Sequence, residues 1–390
     1  MRFLHTSDWH LGRTIRGRSR QDEFERVVLH VVDIARRSDV DAVLIAGDIF
    51  DTFSPPTDAE RLLYEALAML RGDGIGVVMV AGNHDHAARM DALASVLKIA
   101  GVRSVGSVPA SAEAAAIALP SRDGAETATI VALPWVPERS AVEFETLLGA
   151  PNEAVQQYAG RLERALAYFC EPFAPATVNV LVAHMLIDGA SIDEGGGERK
   201  LHIGQAFAVQ AQSLPATAQY VALGHVHKPQ EMVARGVRAC YCGSPLQLDF
   251  GEGEQRKYVN IVDVRPRLPA NVEQVPVEGG RTLRTLQTRY EDLPALAGQH
   301  ADDYLRVFVD LDQPVVSLFE RVRELLPNAL DVQARLPEAA GGGAERIERK
   351  GLAPHELLAR FYASRHGGEI APQLLGLFND LYEEAARASA

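Results

Sequence analysis

The sequence predicts a layered α/β fold, and three observations carry that prediction. Short apolar runs alternate with amphipathic stretches over the first 230 residues, the pattern of strands packed against helices. Aspartate, histidine and asparagine recur just after several of those apolar runs, at the strand ends where open α/β sheets build their sites. Beyond about Pro266 the texture changes to a smaller α+β unit and then to a glycine-rich segment.

Strands are expected over 2–6, 42–46, 77–81, 130–133, 178–183 and 220–223, and a further pair at 239–242 and 258–262 completes the sheet region. Helices are expected over 22–36, 58–70, 89–100 and 152–169. The second of these has a local start signal, Thr57 and Glu60 at capping-box spacing after Pro55 and Pro56. The later unit, 281–335, reads as a strand at 305–311, a helix near 318–325 and a strand at 329–332. Ala and Gly then fill 339–343, a linker composition. Two amphipathic helices follow at 354–365 and 372–388, the second with Leu374, Phe378, Leu381 and Tyr382 on one face. The expected division is a main domain over 1–265, an α+β capping domain over 266–338, and a hinge with C-terminal helices over 339–390.

Composition narrows the class. No apolar run reaches the roughly 20 residues a membrane span needs. The opening MRFLHTSDWH puts Asp8 and histidines where a signal peptide needs an apolar stretch, so the expected location is the cytoplasm. Three cysteines suit a reducing compartment rather than a disulfide framework. Cys240 and Cys242 alternate with Tyr241 in a strand-like run and read as small buried hydrophobes. A net charge of −13 is awkward for a protein that binds phosphates. Divalent cations in a pocket would reverse the local field.

Five motifs carry chemistry: Asp8-Trp9-His10, Gly47-Asp48 through Asp51, Gly82-Asn83-His84-Asp85, His184, and Gly224-His225-Val226-His227. Each follows an expected strand. Carboxylate, imidazole and amide oxygen suit manganese, iron or zinc. One aspartate can bridge two cations about 3.5–4 Å apart. Asp-x-His and His-x-His pairs place both side chains on one side of an extended segment. Glycine before Asp48, Asn83 and His225 lets the chain turn off its strand. Singly, each motif has a plainer reading, as local hydrogen bonding or as a turn. Together and in this order they read as a metal site. His5, His30, His202, His300, His355 and His366 have no such pattern and read as structural or surface residues.

That order of motifs resembles the calcineurin-like phosphoesterases. The wording HTSDWHLGR, AGDIFDTFSPP, AGNHD, GHVHKPQ and YCGSPLQLDFGE is similar to the SbcD subfamily along the whole chain. The resemblance implies a layered β-sandwich flanked by helices, and two divalent metal ions, with manganese the expected metal. It assigns Asp8, His10, Asp48 and His227 to one ion, and Asn83, His184 and His225, with Asp48 bridging, to the other. His84 matches the family's catalytic histidine that is not a ligand, and Asp51 is placed to orient it. His86 departs from the family pattern and is either an extra proton donor or a surface variant.

The implied activity is 3′-to-5′ exonuclease action on double-stranded DNA ends, and endonuclease action on single strands and hairpins, within a DNA repair complex. The implied partners are an SbcC-type, SMC-like ATPase, gripped by the C-terminal helices, and a second copy of this chain, paired through helices 58–70 and 89–100. Leu63, Leu67 and Leu70 suit that pairing, or burial against their own sheet. The terminal helices either dock the ATPase or fold back. Arg13, Arg16, Arg18 and Arg20 crowd the loop beyond His10, and either hold DNA phosphates or form a solvated basic loop. Phosphatases share the fold, and some relatives have lost their ligands to become scaffolds. Here every ligand position is filled.

Overall fold

The computed structural model describes residues 1–137, 158–192, 208–234 and 236–337, with 356–360, 362, 370–371, 374–376 and 378. The chain forms two compact units, Met1–Arg335 and Leu336–Ala390.

Two six-stranded sheets form the heart of the first unit. One has the order Asn271–Pro276, Tyr258–Asp263, Arg2–Thr6, Ala42–Ala46, Gly76–Val80, Val102–Val105, and its last four strands are mutually parallel. The other has the order Gln230–Ala234, Val237–Tyr241, Tyr220–Gly224, Val178–His184, Thr127–Leu133, Ala116–Pro120, with its middle four parallel. Alternate side chains divide between the faces. Phe3, Leu44, Ala46 and Val80 meet Ile130, Val180, Val182 and Tyr220 between the sheets. Leu4, Val43, Ile45 and Val77 point outward. They pack under helices Gln21–Arg37 and Thr57–Gly72, whose Val28, Val31, Leu63 and Leu67 are buried there. Leu181 and Val221 do the same for helix Tyr158–Phe169 through Leu166 and Phe169. The result is a helix–sheet–sheet–helix sandwich. Its central strands are covered on both sides, which is why they read as unbroken apolar runs. Each fully buried Leu, Val or Phe contributes roughly 1.5–3 kcal/mol.

One local expectation is corrected, and one open alternative is decided. Thr57 is the first helical residue rather than the cap: Pro56 occupies the cap position and no side chain caps this end. Glu60 instead pairs with Arg89 of the next helix. Leu63, Leu67 and Leu70 are buried in their own core, so their stripe belongs to the sheet. In helix Ala87–Ile99 only Met90 is buried, while Val96 and Ile99 are 64% and 89% exposed.

The α+β portion contains one strand more than expected. Leu283–Arg289 pairs in parallel with Tyr304–Asp310, which pairs in parallel with Ala329–Arg335, and helix Leu318–Leu325 covers the sheet. The strand LRTLQTR was hidden because much of it faces solvent and its residues are mostly polar. The Gln247 side chain accepts from the Leu283 amide at 2.7 Å, and Ile15, Phe250, Leu283 and Tyr304 pack together. In the second unit, 356–360 and 374–376 are helical. Most of the two expected C-terminal helices, and the linker 339–343, lie outside the described residues.

Candidate metal centre

Parallel strands end together, so five strand exits meet at one edge of the sandwich. Thr6, Ala46 and Val80 close strands of one sheet, and His184 and Gly224 close strands of the other. The chain turns abruptly at these exits. Asp8, His10, Asp48 and His225 all have positive φ, at 52°, 47°, 47° and 102°. Non-glycine residues rarely adopt that region, and such strain persists where the surroundings enforce it. Here they do: the Asp8 amide donates to the Gly47 carbonyl at 3.0 Å, and the His10 amide to that of Asp48 at 3.0 Å. Gly47 turns, with φ of 89°, as expected. Gly82 and Gly224 serve another purpose. A Cβ on Gly82 would strike Asp48, and one on Gly224 the Ala46 carbonyl, so these glycines permit close approach.

The structure brings all seven candidate ligands together. Asp8, His10, Asp48, His184, His225 and His227 are buried and Asn83 is partly so. In the first group the Nε2 atoms of His10 and His227 lie 3.2 Å apart, with Asp48 Oδ2 at 3.6 Å from His10 Nε2. Asp8 joins His10 and His227 in a cluster of donor atoms. In the second, Asn83 Oδ1 is 3.1 Å from His184 Nε2 and 3.0 Å from His225 Nδ1, and Asp48 Oδ2 is 3.4 Å from His184 Nε2. Asp48 therefore reaches both groups.

The orientation of the rings tests whether cations fit. His227 Nδ1 meets Glu252 Oε1 at 3.0 Å and His10 Nδ1 lies 3.3 Å from Asp51 Oδ1. The Glu252 carboxylate accepts, so His227 Nδ1 carries the hydrogen and its Nε2 lone pair faces inward. His10 Nδ1 is near the Asp51 carboxylate without a hydrogen bond, and its Nε2 faces that of His227. Similarly, His184 Nδ1 donates to the Ala46 carbonyl at 2.8 Å, turning Nε2 toward Asp48 and Asn83. Lone pairs and carboxylate oxygens aimed at one another repel unless a positive charge lies among them. Divalent cations fit both groups.

The electrostatics agree. Burial would push the Asp48 carboxyl up, yet the His184, His10 and His84 rings hold it well below the usual range. Burial disfavours charge on His184 too, but Asp48 and Asp8 raise its pKa to about 9. Burial and the neighbouring His184 press His225 down to about 3. Without a cation, the site attracts a proton at its most negative point.

His84 Nδ1 donates to the Asp51 backbone carbonyl at 2.8 Å, leaving Nε2 free of that contact. This corrects the expected role of Asp51. Its carboxylate faces His10 and the Arg13 guanidinium, the latter at 3.2 Å, so its side chain orients a candidate ligand while its main chain orients His84. The arginine loop is corrected as well. Arg20 is buried, paired with Glu23 at 2.7 Å and bonded to the Gln247 carbonyl, so it is withheld from any DNA phosphate. Arg16 pairs with Asp331 at 2.8 Å and Arg18 lies over the Tyr304 ring, tying this loop to the α+β portion. His86 caps helix Ala87–Ile99 by accepting from the Arg89 amide.

Several residues escaped sequence reasoning. Asp85 is buried and accepts from the Gly82, Ile49 and Phe50 amides at 2.8, 3.1 and 2.9 Å, stapling two motif loops together. Burial and nearby Asp48 lift its pKa to about 6 despite those amides. Trp135 stacks on His225 at 5.2 Å between centroids. Glu252 supports His227. Asp85 and Glu252 both lie inside quoted family stretches, AGNHD and YCGSPLQLDFGE, which was the available signal. His5, expected to be structural, is buried between the sheets 2.8 Å from the Tyr220 hydroxyl, and burial lowers its pKa to about 3.

Clustered carboxylate and imidazole donors at the strand exits of an α/β sandwich define a metal-centred phosphoesterase. The chain belongs to the calcineurin-like phosphoesterase family, which matches residues 1–229 and uses divalent metals. Residues 280–366 match a second family, described as the type 5 capsule protein repressor C-terminal domain. Among curated relatives, the SbcD subunit of the nuclease SbcCD from Bacillus subtilis (strain 168) is 32% identical, over 98% of this chain and 97% of its own length. The protein of the same name from Escherichia coli (strain K12) is 30% identical over 89% and 87%. That of Rhodobacter capsulatus is 32% identical over 82% of each.

Proposed function

We propose that this chain is the nuclease subunit of an SbcCD-type complex, a metal-dependent phosphodiesterase acting on DNA. The observation that carries the chemistry is Asp48, whose carboxylate reaches both donor groups at one strand exit. The similarity to SbcD subunits along nearly the whole chain supports the substrate. In this reading Asp8, His10, Asp48 and His227 hold one ion and Asn83, His184 and His225, with Asp48, the other. Manganese suits this oxygen and imidazole set. Bound there, two divalent cations would polarise the substrate's phosphoryl group and lower the pKa of a water. The chain's own residues do the rest. Asp48 and Asp8 hold the site negative, and buried walls exclude bulk water. His84, with Nδ1–H committed to the Asp51 carbonyl, presents Nε2 to protonate or stabilise the leaving oxygen. The finer reading is 3′-to-5′ digestion of duplex ends with endonuclease cleavage of single strands and hairpins.

In this reading the chain divides into a sandwich carrying the site over 1–265, to which strand Asn271–Pro276 adds an edge, a capping portion over 266–338, and a terminal segment over 339–390 that docks the SbcC-type ATPase. Leu374, an exposed leucine of that segment, suits such docking. Arg13, Arg16 and Arg18 remain the arginines of the loop that could meet DNA. Among the described residues no helix is long and apolar enough to cross a membrane.

The protein is expected to pair as a homodimer through helix Ala87–Ile99, where Val96 and Ile99 leave apolar surface bare. Ile99→Glu should convert a dimer to a monomer in sedimentation velocity while leaving the far-UV circular dichroism spectrum unchanged. A parent chain that sediments as a monomer would refute the pairing. The nuclease reading is tested with manganese on end-labelled duplex and hairpin DNA, with and without the ATPase partner. Cleavage that chelation abolishes is expected. Hydrolysis of a phosphate monoester with no DNA cleavage would instead make the chain a phosphatase.

A further inference from the structure

The two donor groups are supported differently, and the difference centres on a buried residue of the Ser244–Lys257 stretch. Glu252 is 1% exposed. Its Oε1 meets His227 Nδ1 at 3.0 Å, while its Oε2 accepts from Lys257 Nζ at 2.7 Å and from the Leu248 amide at 3.1 Å. Lys257 is buried too and reaches the Ser244 hydroxyl at 2.9 Å and Gln255 Oε1 at 2.8 Å. A buried carboxylate is costly unless paired and hydrogen-bonded. Here every oxygen is satisfied, so Glu252 stays in place with its charge directed at the back of the His227 ring. Asp51 stands behind His10 in the same group at 3.3 Å. The second group has neutral backing: the Ala46 carbonyl behind His184 and the Trp135 indole stacked on His225. A carboxylate behind a ligating imidazole fixes the ring and raises its basicity.

We infer that Glu252 is a positioning residue that makes the group of Asp8, His10, Asp48 and His227 the tighter of two unequal metal sites. The inference rests on the metal-centre reading proposed above. Lys257 allows Glu252 to remain charged inside the fold, and the Leu248 amide holds it to the loop that also anchors the α+β portion through Gln247 and Leu283.

The test is a titration of the full-length, metal-stripped chain with manganese(II), following the free-ion EPR signal. The parent, Glu252→Gln and the double variant Glu252→Gln/Lys257→Gln are compared, with the melting temperature of each metal-stripped protein recorded. The double variant matters because it leaves no unpaired buried charge, so it keeps the test valid if Glu252→Gln alone fails to fold. Expected are two ions of unequal affinity in the parent. In the variants the tighter should weaken by about 10–100-fold while the weaker is unchanged. The double variant should keep the parent's metal-free melting temperature. Unchanged affinities with lowered melting temperatures would make Glu252 only the counter-ion of Lys257, and equal weakening of both ions would mean a general loosening of the site. Either result overturns the inference. A parent that binds no manganese overturns the metal-centre reading itself.

Discussion

Replacing Asp48 with Asn is expected to remove bound manganese and to lower DNA cleavage by at least about a thousandfold. Loss of one transition-state donor elsewhere costs on the order of 10²–10³, and Asp48 does more than one such group. Its Oδ2 lies 3.6 Å from His10 Nε2 and 3.4 Å from His184 Nε2, so removing its charge weakens both donor groups together. The fold should survive. Asn keeps an oxygen that can accept from the His84 amide, the bond that Asp48 Oδ1 makes at 2.8 Å. Metal content by mass spectrometry and cleavage of end-labelled duplex are measured side by side. An Asp48→Asn variant that still holds two ions per chain and cleaves DNA would remove Asp48 from the bridging role.

Replacing His84 with Ala separates chemistry from metal binding. The ring is fixed by its bond to the Asp51 carbonyl and stands edge-on to His10, with centroids 4.7 Å apart. If Nε2 serves the leaving oxygen, kcat falls by about 10²–10⁴-fold, the usual contribution of a positioned acid or base. Manganese content and KM stay near the parent's. His84 also lies close enough to His10 and Asp48 to share an ion with them. Loss of a bound ion in the Ala variant would therefore reassign His84 as a ligand.

Much of the sandwich was legible because its elements are local. The strand Ala42–Ala46 coincides with the expected 42–46, and Val178–His184 extends the expected 178–183 by the candidate ligand itself. Such strands are buried on both faces, which writes a continuous apolar run into the sequence. Leu283–Arg289 was missed for the opposite reason: on that strand only Leu283 is buried, so nothing in LRTLQTR stands out. The stripe of Leu63, Leu67 and Leu70 shows a further limit. Helical periodicity reveals that one face is apolar but not what covers it, and here its own sheet does.

By itself, the sequence determined which donor types follow which strands, and therefore the chemical class of the centre. Those residues sit within a few positions of their strands, so short-range pattern suffices to place them. Only the tertiary structure decided what stands behind them. Glu252 reaches His227 across 25 residues, the Ala46 carbonyl receives His184 across 138, and His225 finds Asp8 across 217. The same packing buries Arg20, which the sequence presents as one more arginine of a basic loop. A side chain's partner at such separations depends on how the sheets stack and where each loop returns. That geometry is set by the whole core at once, and no local stretch encodes it.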